Sequence, residues 1–148
     1  MTSTPKSDLK QDTRGQAAVE ALLVLAILAL VIFGGIELSQ GVAIRQALDS
    51  GAGAAVRNLS LDPAAWNYAE SLLQQSLDQH LMGGMATASL QVLDASGTPR
   101  SSAWLSGSPF GTTFILQASA PYQAEIPFLP SSNLTITVQH WGIVERYP

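Results

Sequence analysis

The sequence predicts an α+β protein on a membrane stalk: a long amino-terminal transmembrane helix, then a small external domain with an amphipathic helix packed on an antiparallel sheet. Three observations predict it. From Ala21 to Ile36 no residue is charged and none is proline. From Trp66 to Leu81 the apolar residues recur at spacings of three and four, the period of one helix face. After residue 86, apolar and polar residues alternate in three stretches, as in strands with one covered face.

With Gln16 to Glu20 included, the apolar run approaches the ~20 residues and roughly 30 Å that a helix needs to cross a bilayer. Its Leu, Ile, Val and Ala are distributed all round the helix, as contact with lipid requires. A soluble core helix and a secretory signal peptide are the rival readings. The signal peptide fits poorly, because the run exceeds the usual apolar core of ~7–15 residues and no convincing Ala-x-Ala cleavage site stands at its end.

Residues 1–15 read as a polar cytoplasmic leader, unstructured over Met1 to Thr13, and residues 16–36 as the span. Lys6, Lys10 and Arg14 precede the span, and only four more basic residues occur in the rest of the chain. By the positive-inside rule this predicts a single pass with the amino terminus inside and the carboxyl domain outside. Residues 37–60 read as a helical extension and residues 61–148 as the external domain.

Glu20 is the anomalous residue of the span, since a carboxylate in mid-membrane costs about 2.5–3.5 kcal/mol and usually marks function. One reading places it in the first helical turn, where the positive end of the helix dipole offsets part of that cost. The other rests on spacing: a cut between Gly15 and Gln16 makes Gln16 a new amino terminus and Glu20 the fifth residue of the mature helix.

A basic leader, Gly, four small or apolar residues, Glu and a long apolar helix resemble the class III signal of type IV pilins. Arg14-Gly15, Val19-Glu20, Phe33-Gly34 and Ile36-Glu37-Leu38 narrow the resemblance to the TadE-like pseudopilins of tight-adherence (Flp) pilus systems. Gln46-Ala47-Leu48 and the small-residue run Gly51 to Val56 ending in Arg57 are similar to that family as well. Ala21 and Ala26 depart from it, standing where an aromatic and a proline are common.

The resemblance implies a minor pilin or pseudopilin that a prepilin peptidase cuts between Gly15 and Gln16. In that setting Glu20 meets the free amino terminus of a neighbouring subunit. It implies other pilin subunits, the pilus assembly platform and membrane lipid as partners, and no enzymatic activity. Gly34, Gly35, Gly51 and Gly53 are candidate sites of close helix packing, since small residues let backbones approach. The alternative for the outer pair is packing against the chain's own carboxyl domain.

Downstream, Asp62-Pro63 reads as an N-cap and first helical residue, opening an amphipathic helix that Gly83-Gly84 ends near Met82. Trp66, Ala69, Leu72, Leu73, Leu77 and Leu81 form its apolar side, which needs a sheet to cover. The first strand carries Ala88, Leu90 and Val92, and Asp94-Ala95-Ser96-Gly97 supplies a turn. Residues 98–111 read as an exposed loop pinned by Trp104 and Phe110. A second strand runs from Thr112 to Ser119 and a third from Asn133 to Val144. Between them Pro121, Pro127 and Pro130 predict an extended segment unsuited to a central strand.

The composition excludes several functions. After the leader, four basic residues face nine acids, a formal charge of −5, which argues against nucleic-acid binding. Without cysteine the chain has no thiolate metal site, and no cofactor or metal site is expected. His80 and His140 stand apart, without the patterns that mark imidazole bases or ligands. Asn58-Leu59-Ser60 and Asn133-Leu134-Thr135 match glycosylation acceptors by triplet alone. An uncleaved, membrane-tethered binding module using Trp104, Phe110 and Tyr122 is the second functional reading.

Overall fold

The computed structural model describes residues 9–79, 87–126 and 129–145, with side chains from Gly15 onward. Residues 1–8, His80, Leu81, Met82, the Gly83-Gly84 stop, Pro127, Phe128 and Arg146 lie outside the described residues. The elements are α1 (Leu9–Leu61), α2 (Trp66–Asp78), β1 (Ser89–Asp94), β2 (Pro99–Arg100), α3 (Ser102–Ser106), β3 (Thr113–Ala124) and β4 (Ser132–Ile143). This is an α+β architecture with one four-stranded antiparallel sheet in the order β2-β1-β3-β4.

Helix α1 has 53 residues, about 80 Å at ~1.5 Å per residue. It begins at Leu9, inside the stretch expected to be unstructured, because no proline stands between Pro5 and Pro63 and extending an existing helix adds a bond per residue fixed. Its two halves have different surroundings. Val19 to Ile36 keep their large apolar side chains exposed, whereas Ile44, Ala47, Leu48, Ala52, Ala55, Val56 and Leu59 are buried. The buried series 44, 48, 52, 55, 59 follows the helix period, so one face of the outer half forms the spine of the globular body.

The corner at Asp62-Pro63 differs from expectation. α1 runs on to Leu61, with the Asp62 amide still donating to Asn58 O, and residues 62–65 make a turn. Asp62 Oδ1 accepts from Ala64 N at 3.2 Å, and α2 starts at Trp66 with no side-chain cap. The capping residue therefore holds the turn between two helices.

Ala69, Leu73 and Leu77 of α2 are buried, as the apolar spacing predicts. The helix lies along α1, however, and the two cover the sheet together: Leu73 and Leu77 join Ala47, Leu48, Ala118 and Val138 in one cluster. A second cluster places Ala69 with Leu59, Val92, Leu105, Phe114, Leu116 and Val144. Gly51 permits the close approach: a Cβ there would lie 2.9 Å from Ser76 Cβ and 3.1 Å from Leu73 Cα. Beside it, Ser76 Oγ donates to Ala47 O at 2.9 Å.

β3 and β4 pair without a break from Thr113↔Ile143 to Ala124↔Ser132. β3 thus continues through Pro121, where a central strand was not expected. The reason is topological: β1 reaches only to Ser89↔Ser119, so past that point β4 is the one partner of β3 among the described residues, and the missing proline N–H breaks no two-sided ladder there. On the covered face Gly142 leaves room for the fully buried Phe114, whose Cε1 would lie 2.8 Å from an added Cβ.

Residues 98–111 hold more structure than their composition shows. Pro99 and Arg100 pair with β1, and Ser101 Oγ caps α3 by accepting from Trp104 N at 3.2 Å. Leu105 enters the core, Trp104 is half-buried and Phe110 stays exposed. In the turn before β2, Gly97 takes φ +83° and Asp94 Oδ1 accepts from Ser96 N at 2.9 Å and Thr98 N at 3.0 Å. Arg100 Nη2 lies 2.8 Å from Asp94 Oδ2. The Ser96 and Thr98 hydrogen bonds, with Arg100, hold the Asp94 carboxyl well below the usual carboxylate range.

Candidate functional site

Gly15, Gln16 and Glu20 lie on the exposed inner half of α1. A Cβ added at Gly15, Gly34 or Gly35 would meet nothing within 4 Å. Among the described residues this half of the helix is largely uncovered: Leu22, Leu25 and Val31 are each about two-thirds exposed. Among the described residues this is the one helix long and apolar enough to cross a membrane, which fits a single-pass membrane protein. In water such a surface would be strongly unfavourable at ~25 cal/mol per Å2 of apolar area, so its environment is lipid or other apolar helices.

The two outer glycines are placed differently. Gly51 is buried against α2, and a Cβ at Gly53 would meet His140 Cε1 at 3.7 Å, an ordinary contact. His140 Nε2 lies 3.0 Å from Asp49 Oδ1, joining β4 to α1. Farther out, Glu145 N donates to Ser60 O at 2.8 Å. Read from Glu37 to Ser60, α1 meets β4 at successively later residues, so helix and strand run in the same direction and the β3–β4 turn lies at the span end of the body.

At that end Tyr122 bonds to α1. Its hydroxyl donates to Glu37 O at 2.9 Å and also contacts the Glu37 carboxylate. Burial, and then the Glu37 hydrogen bond and charge, push the Tyr122 phenol up to about 12. The raised value favours the protonated phenol in the folded state, so its contribution to stability is full below the ordinary value of 10.0 and is lost as pH rises towards about 12. Absorbance titration should show one tyrosine ionising near pH 12, and Tyr122→Phe should remove it. A Tyr122→Phe chain that retains this late step would contradict the contact.

The Glu37–Tyr122 pair is the feature that the sequence alone did not reveal as a unit. Its two residues are 85 positions apart, and only their separate identities were visible, Glu37 as the first acid beyond the span and Tyr122 as an aromatic in a proline-rich segment. Asn58-Leu59-Ser60 folds into α1, with Leu59 and Ser60 buried, so that triplet is built into the core. Asn133 lies in β4. Among the described residues no group of three His, Cys, Asp or Glu converges as a metal site.

Residues 15–57 match the family model described as TadE-like protein. No curated protein matches the chain. No solved structure matches it either. The matched segment opens at Gly15, contains the whole exposed apolar run and ends within the buried spine of the body. That family is not known as enzymatic and implies pilus-related protein partners. The match and the apolar helix together support a TadE-like protein of the Tad pilus system.

Proposed function

We propose that the chain is a minor pilin or pseudopilin of the tight-adherence pilus, without enzymatic activity. A prepilin peptidase cuts it between Gly15 and Gln16, after which it works with other pilin subunits and the assembly platform. The carrying observation is the exposed apolar helix from Val19 to Ile36, which lies within the matched segment and is left uncovered by the described residues of the body. The protein sits in the cytoplasmic membrane with its leader inside and its α+β body outside, an orientation supported by Lys6, Lys10 and Arg14 before the span.

In this reading residues 1–15 are removed, 16–36 span the bilayer, 37–60 lead out of it and 61–148 complete the body. Glu20, exposed on α1, meets the ammonium of a neighbouring Gln16. Low dielectric strengthens that attraction while desolvation offsets much of it, so the pair sets register more than it adds stability. Gly34 and Gly35, with open space beside them, are positions for close packing between subunits. Gly51 serves close packing within the body, whereas Gly53 stands at an ordinary contact distance from His140.

Glu20→Ala is expected to leave membrane insertion and processing intact and to reduce pilus assembly by at least about tenfold, ~1.4 kcal/mol on a pairing equilibrium. Carbonate-resistant membrane association and the yield of sheared pili measure the two parts. Wild-type pilus yield from the Ala variant would remove Glu20 from assembly.

A further inference from the structure

A groove of about 730 Å3 lies between α1 and the β3–β4 hairpin at the span end of the body. Gly34, Leu38, Val42, Ile126, Leu134 and Ile136 supply its apolar wall, with Arg45 at its outer end and the Tyr122–Glu37 contact across it. Gly34 belongs to the span itself, so the groove opens where the bilayer ends. Ile27, Val31, Gly34, Leu38, Val42 and Arg45 follow each other at spacings of three and four, which makes the groove's helical wall a continuation of one lipid-facing stripe. Leu38 is 72% exposed, Val42 49% and Leu134 51%, and Leu129 in the adjoining turn is 56% exposed.

We propose that this groove takes one acyl chain of a phospholipid from the adjoining leaflet, with the lipid phosphate on Arg45, seating the span end of the body in the membrane. The proposal rests on the single-pass reading above. From Gly34 to Arg45 the helix advances eleven residues, about 16 Å at ~1.5 Å each, close to half of the ~30 Å hydrocarbon thickness. An acyl chain therefore matches the groove in length as well as polarity.

The span length favours the same arrangement. The uncharged run Ala21 to Ile36 is 16 residues, about 24 Å at ~1.5 Å each, and falls short of the ~30 Å hydrocarbon core. Seating Leu38 and Val42 in the leaflet shifts the proposed 16–36 span towards the body: the segment from Ala21 to Val42 is 22 residues or about 33 Å, and Glu20 stands at the opposite edge of the hydrocarbon. The one charge thereby drawn in is Glu37, and the Tyr122 hydroxyl already donates to it. Tyr122 is itself of the type enriched at membrane interfaces, with an apolar ring and a polar tip. Arg45 is exposed and is a suitable partner for a phosphodiester.

The test uses the full chain in dioleoylphosphatidylcholine vesicles doped with phosphatidylcholine that carries a diazirine on one acyl chain. Adducts are mapped by peptide mass spectrometry. Adducts are expected on Val19 to Phe33, and also on Leu38, Val42 and Leu134 to Ile136, with none on the exposed Trp141 and Ile143. Leu134→Asp, at a half-exposed site that leaves the core untouched, should lower the groove adducts by about tenfold while the span adducts persist. Arg45→Gln should lower them several-fold. Span adducts with none in the groove would overturn the groove and leave the membrane reading standing. A lack of adducts even on the span would overturn both.

Discussion

Phe114→Ala is expected to destabilise the body by about 3–5 kcal/mol, the usual cost of emptying a fully buried aromatic site. Phe114 is 0% exposed in the central strand β3 and clusters with Leu116 of the same strand and with Leu59, Ala69, Leu105 and Val144 from four other places in the chain. Its ring also occupies the space beside Gly142 on β4, where no side chain can fill in after truncation. Trp66 and Trp104 pack against the same cluster and report on it. Urea unfolding in detergent, followed by tryptophan fluorescence, should show the midpoint falling sharply while α1 keeps its helicity. A loss below about 1 kcal/mol would mean that the cluster does not hold the body together.

The second large effect separates the glycines of α1 by their surroundings. Gly51→Leu should drive α1 and α2 apart, because even a Cβ would sit 3.1 Å from Leu73 Cα, a backbone atom that yields only if the helix moves. Overpacking of this kind costs about 1–3 kcal/mol and often more for a large side chain. Replacing glycine gains up to ~1 kcal/mol of helix propensity, which is too little to offset it. Gly34→Leu faces open space and should leave the body's melting temperature unchanged or slightly raised. In cells the Gly34 variant should instead lower pilus yield if that position packs between subunits. Equal melting temperatures for the two variants would contradict the placement of α2 against Gly51.

Much of this fold was legible because its signals are periodic. The charge-free run announced α1, the spacing of Ala69, Leu73 and Leu77 announced α2, and alternation placed β1, β3 and β4. The misread parts depended on what lies nearby in space. Asp62-Pro63 has the chemistry of a helix start, yet the preceding helix had not ended and used the position as a corner. Pro121 argues against a central strand until β1 is seen to stop at Ser89↔Ser119. The helix α3 is five residues long, too short for any period to show, although Ser101 was available as its cap.

The candidate site divides in the same way. Gly15, Gln16 and Glu20 were singled out from their spacing within one helix, and their roles in cleavage and assembly stand as a proposal. The Tyr122 hydroxyl on Glu37, and the groove beside it, depend on β3 and β4 running back alongside α1. No local pattern in the chain encodes that pairing.

The most direct test of the pilin reading is the amino-terminal residue and intact mass of the protein taken from its native membrane, with and without the prepilin peptidase. The proposed processing predicts a chain beginning at Gln16 when the peptidase is present and retaining residues 1–15 when it is absent. A terminus at Met1 or Thr2 in both samples would contradict it and leave the chain as an uncleaved membrane-tethered body.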